Sequence, residues 1–361
     1  MPDTGLLPVA EKLAASAARH ASQADTGRRL AAQVVEEIRE AGFARHFVPS
    51  RWGGNEATFT EMTRAVVAVA EGCASTAWCA SLSAYSSRFA AYLPIEGQRD
   101  IWAGTPDLFI ATGLVPAGSA VEVEGGSRIA GRWNYLSGID FADWALLCGP
   151  ASGEGAMEAR FFAVPRGSWE VLPTWDSVGL RATGSHSVVL DDVFVPEHRM
   201  FARTTIMGGR NTGSTAVCHN APFGAVGGLT FAAPALGAAK GALAACVDAL
   251  AGKRRTASTE VALTRASAQI DAAELLVQRA AAAVDDNALT KATVVRNSRD
   301  QSVAAELLVE AVSGLVRAAG TSGLAESLPL QRHWRDVTAA TSHVALRVET
   351  SAPRYAEVLL G

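Results

Sequence analysis

The sequence predicts a mostly helical protein of the α+β class, in which an N-terminal helical domain, a central β domain and a C-terminal helical bundle follow one another. Three changes of pattern lead to this prediction. Apolar residues recur at helical spacing over residues 6–103, short apolar runs follow from about residue 110, and long Ala/Leu/Val patterns occupy about 222–350. A chain of 361 residues, 49% of them hydrophobic, is long enough for two or three such units.

The first region is helical by its period. Leu30, Val34 and Ile38 recur every four residues, and two further segments, Thr58–Glu71 and Ser75–Leu93, continue in the same way. These segments place an N-terminal helical domain at residues 1–110.

The second region changes to the spacing of strands. Val121-Glu-Val-Glu alternates apolar and acidic residues and runs into Gly125-Gly126, which predicts a hairpin. Several short strands at such spacing predict a compact barrel or sandwich, placed at residues 111–215. Four further apolar runs are predicted to be strands: 145–148, 161–164, 187–190 and 193–195.

The third region, residues 216–361, is predicted to be a helical bundle with breaks at Gly252, Asn287 and Gly320–Gly323. Residues 221–247 carry a single charge, Lys240, and imitate a membrane span. Their Ala/Gly composition and two internal prolines favour a helix buried inside a bundle instead.

Composition excludes several classes of protein. The net charge of −4 and the lack of a basic run argue against nucleic-acid or membrane partners, so we expect a small-molecule substrate. Five cysteines without a CxxC pair, and no apolar signal segment in the first thirty residues, predict reduced thiols in the cytoplasm. There is no GxGxxG after a strand, no P-loop, no HExxH and no GxSxG, and the scattered histidines predict no metal site.

The order of the domains and five motifs resemble the acyl-CoA dehydrogenase superfamily over nearly the whole chain, and within it the flavin-dependent monooxygenase branch. The resemblance implies the acyl-CoA dehydrogenase fold, with a central β-barrel and a C-terminal four-helix bundle. The motifs are Pro49-Ser-Arg-Trp-Gly-Gly-Asn-Glu56, Ser75-Thr-Ala-Trp78, Gly131-Arg-Trp-Asn-Tyr-Leu-Ser-Gly138 with Ala142-Asp-Trp144, Thr183-Gly-Ser185 with Asp191-Asp-Val-Phe-Val-Pro196, and Gln331-Arg-His-Trp-Arg-Asp336.

Two departures from the dehydrogenases favour the monooxygenase branch. The stretch from Asp336 to Val344 contains no further acid, and residues 198–247 contain neither Asp nor Glu. Both placements of the catalytic carboxylate in the dehydrogenases are therefore missing, and proton abstraction has no acceptor. The dehydrogenases' Arg-x-x-Phe, which meets the adenine half of a neighbour's FAD, is absent from the segment beginning Lys253-Arg-Arg255. This favours reduced FMN, with FAD as the alternative.

The resemblance implies the oxygenase component of a two-component flavin-dependent monooxygenase. Such an enzyme uses reduced flavin and O2, through a C4a-hydroperoxyflavin, to hydroxylate a small aromatic or polyketide-like substrate. No NAD(P)H fingerprint is present, so a separate flavin reductase is expected, and the family implies a homotetramer. N-oxygenation of an amine or amino sugar, and an acyl-CoA dehydrogenase-like oxidoreductase, are the alternatives.

The resemblance also suggests site residues. His343, one position before the dehydrogenase glutamate, is expected to handle a substrate proton or donate a hydrogen bond, with an ionisation near neutral pH, although a packed histidine is the alternative. Ser137 is expected near flavin N5, or else in a turn with Gly138, and Thr112 near the substrate, or else as a cap. The expected flavin-binding residues are Trp133, Asn134, Tyr135, Ser137, Gly138, Thr183, Ser185, Gly320 and Arg332, of which Trp133 could instead be barrel core and Gly320 a helix C-cap.

Overall fold

The computed structural model describes residues 5–150, 158–252, 254 and 256–361. Lys253 and Arg255, in the segment compared with the dehydrogenases' Arg-x-x-Phe, lie outside the described residues.

The N-terminal region is helical, as predicted. The segment from Thr58 forms a helix because the Thr58 hydroxyl accepts a hydrogen bond from Glu61 N, which caps the helix start. The five helices here are α1 (Leu6–Gly27), α2 (Ala32–Glu40), α3 (Phe59–Gly72), α4 (Ala74–Ala90) and α5 (Ile95–Trp102).

The strands form two four-stranded sheets, ordered β1-β4-β5-β8 and β2-β3-β7-β6. Their inner faces share one core, which includes Ile129, Leu147 and Phe162. Only the β1–β4 pair is parallel among the described strands. The strands are β1 (Ile110–Gly113), β2 (Ser119–Val123), β3 (Gly126–Leu136), β4 (Trp144–Pro150), β5 (Ala159–Pro165), β6 (Glu170–Leu172), β7 (His186–Pro196) and β8 (Met200–Ala202).

Two predictions about strands have different outcomes. The hairpin at Gly125-Gly126 is confirmed, since β2 and β3 pair antiparallel across it. The prediction of separate strands at 187–190 and 193–195 is wrong, because both runs belong to β7. Asp192 lies between them with a φ of 51°, an irregularity that polar residues tolerate and that a run of apolar letters does not reveal.

Helices return after β8, and the breaks predicted near Gly252, Asn287 and Gly320 all fall between helices. The apolar segment runs from Phe223 to Leu250, long and apolar enough for a membrane span, but 72% of its most apolar window is buried inside the molecule. It is therefore the central helix of the bundle, as predicted. The helices are α6 (Arg203–Gly208), α7 (Phe223–Val226), α8 (Leu229–Leu250), α9 (Ala257–Asp285), α10 (Lys291–Ala319), α11 (Pro329–Thr341) and α12 (Val348–Leu360).

Helix α4 connects the three regions. It packs against β1 of the sheets, against α8 of the bundle and against the start of α11. Nearly every residue of α4 is buried, which explains why its sequence lacks a polar face. A cavity opens where α4, the end of β3 and the end of α11 meet.

Candidate active site

A cavity of about 560 Å³ lies at this junction and collects residues from all three regions. Its volume is within the usual range for a small-molecule site. Among the residues predicted for the site, Thr112, Asn134, Tyr135, Ser137, Ser185 and His343 line this cavity. The described lining contains one charged side chain, Arg347, and no carboxylate.

A chain of hydrogen bonds runs from the cavity wall into the protein. Trp78 Nε1 donates to Ser137 Oγ at 3.0 Å, and Ser137 Oγ lies 2.7 Å from Ser185 Oγ. Ser185 Oγ is 2.6 Å from Thr183 Oγ1, whose hydroxyl donates to Leu180 O at 2.9 Å. The tight turn at Gly138, whose φ is 76° and whose N–H donates to Thr183 O, brings the end of β3 beside the Thr183-Gly-Ser185 loop.

His343 ends α11 and lies in the cavity wall. Its ring stacks on Phe231 at 3.6 Å between ring centres, and its Nδ1 accepts a hydrogen bond from Ala345 N at 3.2 Å. Because Nδ1 is the acceptor, the hydrogen of the neutral ring is on Nε2. Burial and the nearby Arg347 charge lower the pKa of His343 to about 4. The ring is therefore a neutral hydrogen-bond donor at pH 7, and the expected ionisation near neutral pH is wrong for the ligand-free protein.

The remaining walls are mostly aromatic or aliphatic. Trp78 and Phe231 pack against one another at 5.1 Å, and Trp175 faces Tyr135 at 6.3 Å in an edge-to-face pair. Tyr135 adopts a φ of 63° at an irregular point of β3 and leaves 74% of its surface exposed. Such walls suit a flat, conjugated ring system.

Loop 173–181 covers one side of the cavity through Trp175, Ser177 and Leu180. The buried carboxylate of Asp336 accepts a hydrogen bond from Leu180 N at 2.7 Å, and Arg335 donates to Val178 O. The Arg335 guanidinium is itself paired with Asp25, at 2.8 Å. The Arg335-Asp336 pair of α11 therefore positions this loop.

Two polar contacts position the opposite side. Thr112 on β1 donates its hydroxyl hydrogen to Ser86 on α4, at 2.8 Å. Asn134 Oδ1 accepts hydrogen bonds from Arg132 and Ser187, which leaves its amide nitrogen as the group that can donate to a ligand.

Five of the predicted site residues do not line the cavity. Trp133 is buried between the two sheets, where its indole N–H donates to Cys148 O at 2.6 Å, so it is barrel core. Gly138 and Thr183 act one layer behind the wall. Gly320 ends α10 in the left-handed region, as a C-cap glycine does. Arg332 faces a different cleft, shared with His333, Lys240 and Asp248.

The sequence reasoning missed several lining residues. Trp78 belongs to one of the resemblance motifs, and its position there was the available signal. Phe231 and Trp175 gave none, because an aromatic residue in an apolar helix or a loop is equally compatible with core packing.

The donors and acceptors of the cavity fit a flavin ring. Aromatic and aliphatic walls flank the space, and the hydroxyls of Ser137 and Ser185 supply polar contacts along one edge. These residues would hold an isoalloxazine, with His343 on a neighbouring wall.

Comparisons with known proteins agree with this geometry. Residues 8–97 match the model of the acyl-CoA dehydrogenase N-terminal domain, and residues 229–348 match that of an acyl-CoA dehydrogenase C-terminal domain. The chain is 32% identical to the flavin-dependent monooxygenase oxygenase subunit HsaA of Rhodococcus jostii (strain RHA1), over 93% of each protein. It is 30% identical to the oxygenase component of an FADH2-dependent resorcinol hydroxylase of Rhizobium sp., over 94% of this chain and 90% of that protein.

Solved structures show the same similarity. The crystal structure of the 3-HSA hydroxylase from Rhodococcus sp. RHA1 superimposes with a TM-score of 0.95, at 30% identity, over 99% of this chain and 98% of the other. XiaF from Streptomyces sp., solved with FADH2 and glycerol, gives a TM-score of 0.91 at 30% identity, over 99% and 95% of the two chains.

Proposed function

Because this chain belongs to the acyl-CoA dehydrogenase family, and within it to the oxygenase components of two-component flavin-dependent monooxygenases, we propose that it hydroxylates a small aromatic or polyketide-like substrate with reduced flavin and dioxygen. The observation that carries the proposal is the chemistry of the cavity: aromatic walls, a hydroxyl chain ending at Ser137 and a neutral His343, with no carboxylate among the described lining residues. A dehydrogenase would need a carboxylate there as its base.

Reduced flavin, when bound, activates dioxygen and supplies the oxygen atom that enters the substrate. The protein's part is to hold and orient both rings and to keep water out. Phe231 fixes the plane of the His343 ring by stacking on it. The Nε2–H of His343 is then available to donate a hydrogen bond to an oxygen of the substrate.

The wall chemistry also favours an uncharged ring substrate. The one charged lining residue, Arg347, is exposed, so no described cation lies deep in the cavity to pair with a substrate carboxylate. The α4 segment around Tyr85-Ser86 lacks the histidine that some family members direct at a phenolic acid.

We propose FMN as the flavin, because the dehydrogenases' adenine-contacting Arg-x-x-Phe is missing from the sequence. Two relatives carry FADH2 in their names, so the choice is tested by anaerobic titration of the protein with each reduced flavin. Tighter binding of reduced FMN is expected, and tighter binding of reduced FAD would replace this part of the proposal.

The remaining parts of the proposal concern context. A separate NAD(P)H-dependent reductase delivers the flavin, since the relatives are named as oxygenase subunits or components. We also propose a cytoplasmic homotetramer with domains at residues 1–110, 111–215 and 216–361, supported by the change from helices to strands after α5 and back after β8. The five cysteines are free and buried, which suits a reducing compartment.

The central test combines the chain with a flavin reductase, NADH, FMN, isotopically labelled dioxygen and a panel of phenols and naphthols. Incorporation of one labelled oxygen atom into a product is expected. Oxidation of an acyl-CoA with an artificial electron acceptor, and no labelled product, would support the dehydrogenase alternative instead.

A further inference from the structure

We propose that Thr183 and Ser185 set the direction of the Ser137 hydroxyl, so that Ser137 accepts a hydrogen bond from reduced flavin and discriminates against oxidised flavin. The inference rests on the proposed function, because it assumes that flavin occupies this cavity. It assigns a positioning role to Thr183, which does not line the cavity.

The first step is the inner end of the hydrogen-bond chain. Leu180 O is a carbonyl oxygen and can only accept, so the hydrogen between it and Thr183 Oγ1 belongs to Thr183. A hydroxyl has one hydrogen. Thr183 Oγ1 is therefore the acceptor in its 2.6 Å contact with Ser185, and the Ser185 hydrogen is used there.

The second step is the outer end. With its hydrogen directed at Thr183, Ser185 Oγ must accept in its 2.7 Å contact with Ser137, which uses the Ser137 hydrogen. The indole Nε1 of Trp78 can only donate, and it donates to Ser137 Oγ. A donor-only group at one end and an acceptor-only group at the other are compatible with one direction, from Trp78 through Ser137, Ser185 and Thr183 to Leu180.

The third step is burial. Thr183 is fully buried and Ser185 is 4% exposed. Water therefore does not compete for these hydroxyls as it does at a surface, and reversing the chain would break the contact with Leu180 O. An unmade hydrogen bond in the interior is costly, so the direction is preserved.

The consequence concerns the two oxidation states of flavin. Ser137 and Ser185 have no hydrogen left for a ligand and present lone pairs to the cavity. Reduced flavin has an N–H at position 5 and can donate to such an oxygen. Oxidised flavin has only a lone pair at N5, so two acceptors would face each other. The geometry therefore favours the reduced form before any reaction takes place.

The test is the variant Thr183→Val, which keeps the side-chain shape and removes the hydroxyl. Leu180 O remains satisfied by Thr183 N and by Trp175 Nε1, so folding should be preserved. The Ser185 hydrogen becomes free to point towards Ser137, and Ser137 becomes free to donate into the cavity. Thr183→Ser retains the hydroxyl and is the matched control.

The measurement is the dissociation constant of oxidised and of reduced FMN, the latter under strict anaerobiosis, with the melting temperature as a check on folding. In Thr183→Val the ratio of the oxidised to the reduced constant should fall about three- to tenfold, the worth of one hydrogen bond. It should fall mainly because oxidised FMN binds more tightly. Thr183→Ser should keep the wild-type ratio.

Each other outcome contradicts a distinct claim. If wild-type protein prefers reduced FMN and Thr183→Val, still folded, has the same ratio, the positioning role is wrong while the proposed function stands. A ratio that rises in Thr183→Val means that the chain runs in the opposite direction, which overturns the inference. Failure of the wild type to bind flavin in either state would overturn the proposed function and this inference together.

Discussion

At the scale of the single residue, Ser137 is the hydroxyl that meets the flavin edge of the cavity. Ser137→Ala should still fold, because the substitution removes one oxygen from the cavity wall. It should release more hydrogen peroxide for each product formed, by about three- to tenfold, because one hydrogen bond at the reacting edge is lost. Peroxide and product are measured together in the coupled assay. Ser119→Ala, which removes an exposed hydroxyl on β2, is the control, and an equal ratio in both variants would exclude Ser137 from the site.

His343 can be tested by its chemistry as a donor. His343→Ala should still bind reduced flavin but should transfer oxygen to substrate roughly 10²–10⁴-fold more slowly, the usual contribution of a positioned acid or base. His343→Gln, which retains an N–H donor, should recover part of the rate. A variant that melts at a lower temperature yet forms product with unchanged efficiency would mean that His343 is a packing residue.

The pKa of His343 adds a prediction about pH. Burial lowers this pKa to about 4, so the ring stays neutral, with its Nε2–H in place, at every pH well above that value. The oxygen-transfer rate of the wild type should therefore be flat between about pH 6 and 8 with respect to this group and fall only in acid. A step near pH 6.5 that disappears in His343→Gln would show that the ring titrates as an exposed histidine does.

At the scale of the element, loop 173–181 depends on its close approach to α11. A Cβ atom on Gly179 would overlap the carbonyl oxygen of Arg335, which is backbone and cannot move aside. Gly179→Ala should destabilise the fold by about 1–3 kcal/mol, as overpacking does, and should weaken flavin binding because Trp175 and Leu180 move with the loop. Thermal melts and flavin titration measure both effects.

The control for this prediction is Gly314→Ala in the middle of α10, where a Cβ meets nothing within 4 Å. That substitution should stabilise the protein by about 0.4–1 kcal/mol, because alanine restricts the unfolded chain. Unchanged stability and flavin affinity in Gly179→Ala would show that the loop does not require the close contact.

At the scale of the whole molecule, buried histidines link stability to pH. Burial, assisted by the Arg332 charge, lowers the pKa of His333 to about 3. Between pH 6.5 and 3 the unfolded chain therefore binds a proton that the folded chain does not, and stability falls as pH drops, by about 1.4 kcal/mol per pH unit for this group. Asp336, whose pKa burial raises to about 6, acts in the opposite direction below that pH.

His333→Gln isolates the histidine contribution, because Asp336 is present in both proteins. The free energy of unfolding, measured in urea at a fixed protein concentration, should fall less steeply between pH 6 and 5 in the variant than in the wild type. Equal slopes would mean that His333 is protonated in the folded protein.

The assembly is the second whole-molecule prediction. We expect a homotetramer, so light scattering should give about four times the chain mass of 37.6 kDa. Apolar side chains left exposed on the bundle surface, including Val261 and Leu275 on α9 and Leu359 on α12, support this expectation. A stable and fully active monomer would contradict it.

The amino-acid sequence by itself determined the order and type of the elements. Helical periodicity placed α3 and α4, the threonine cap fixed the start of α3, and Gly125-Gly126 fixed the β2–β3 hairpin. These signals are local: each depends on neighbours within a few residues, through side-chain spacing, capping or turn geometry. The resemblance motifs also led to Ser137, Ser185 and His343, which do meet in one cavity.

Only the tertiary structure decided what each of these residues does there. Thr183 and Ser185 are two positions apart in one loop, yet burial makes the first a hidden support and the second part of the wall. His343 is neutral because Phe231, more than a hundred residues earlier, covers its ring, and Trp133 became core because the second sheet closes over it. Burial, desolvation and the direction of a hydrogen bond depend on atoms far apart in the chain, and no local pattern of letters records them.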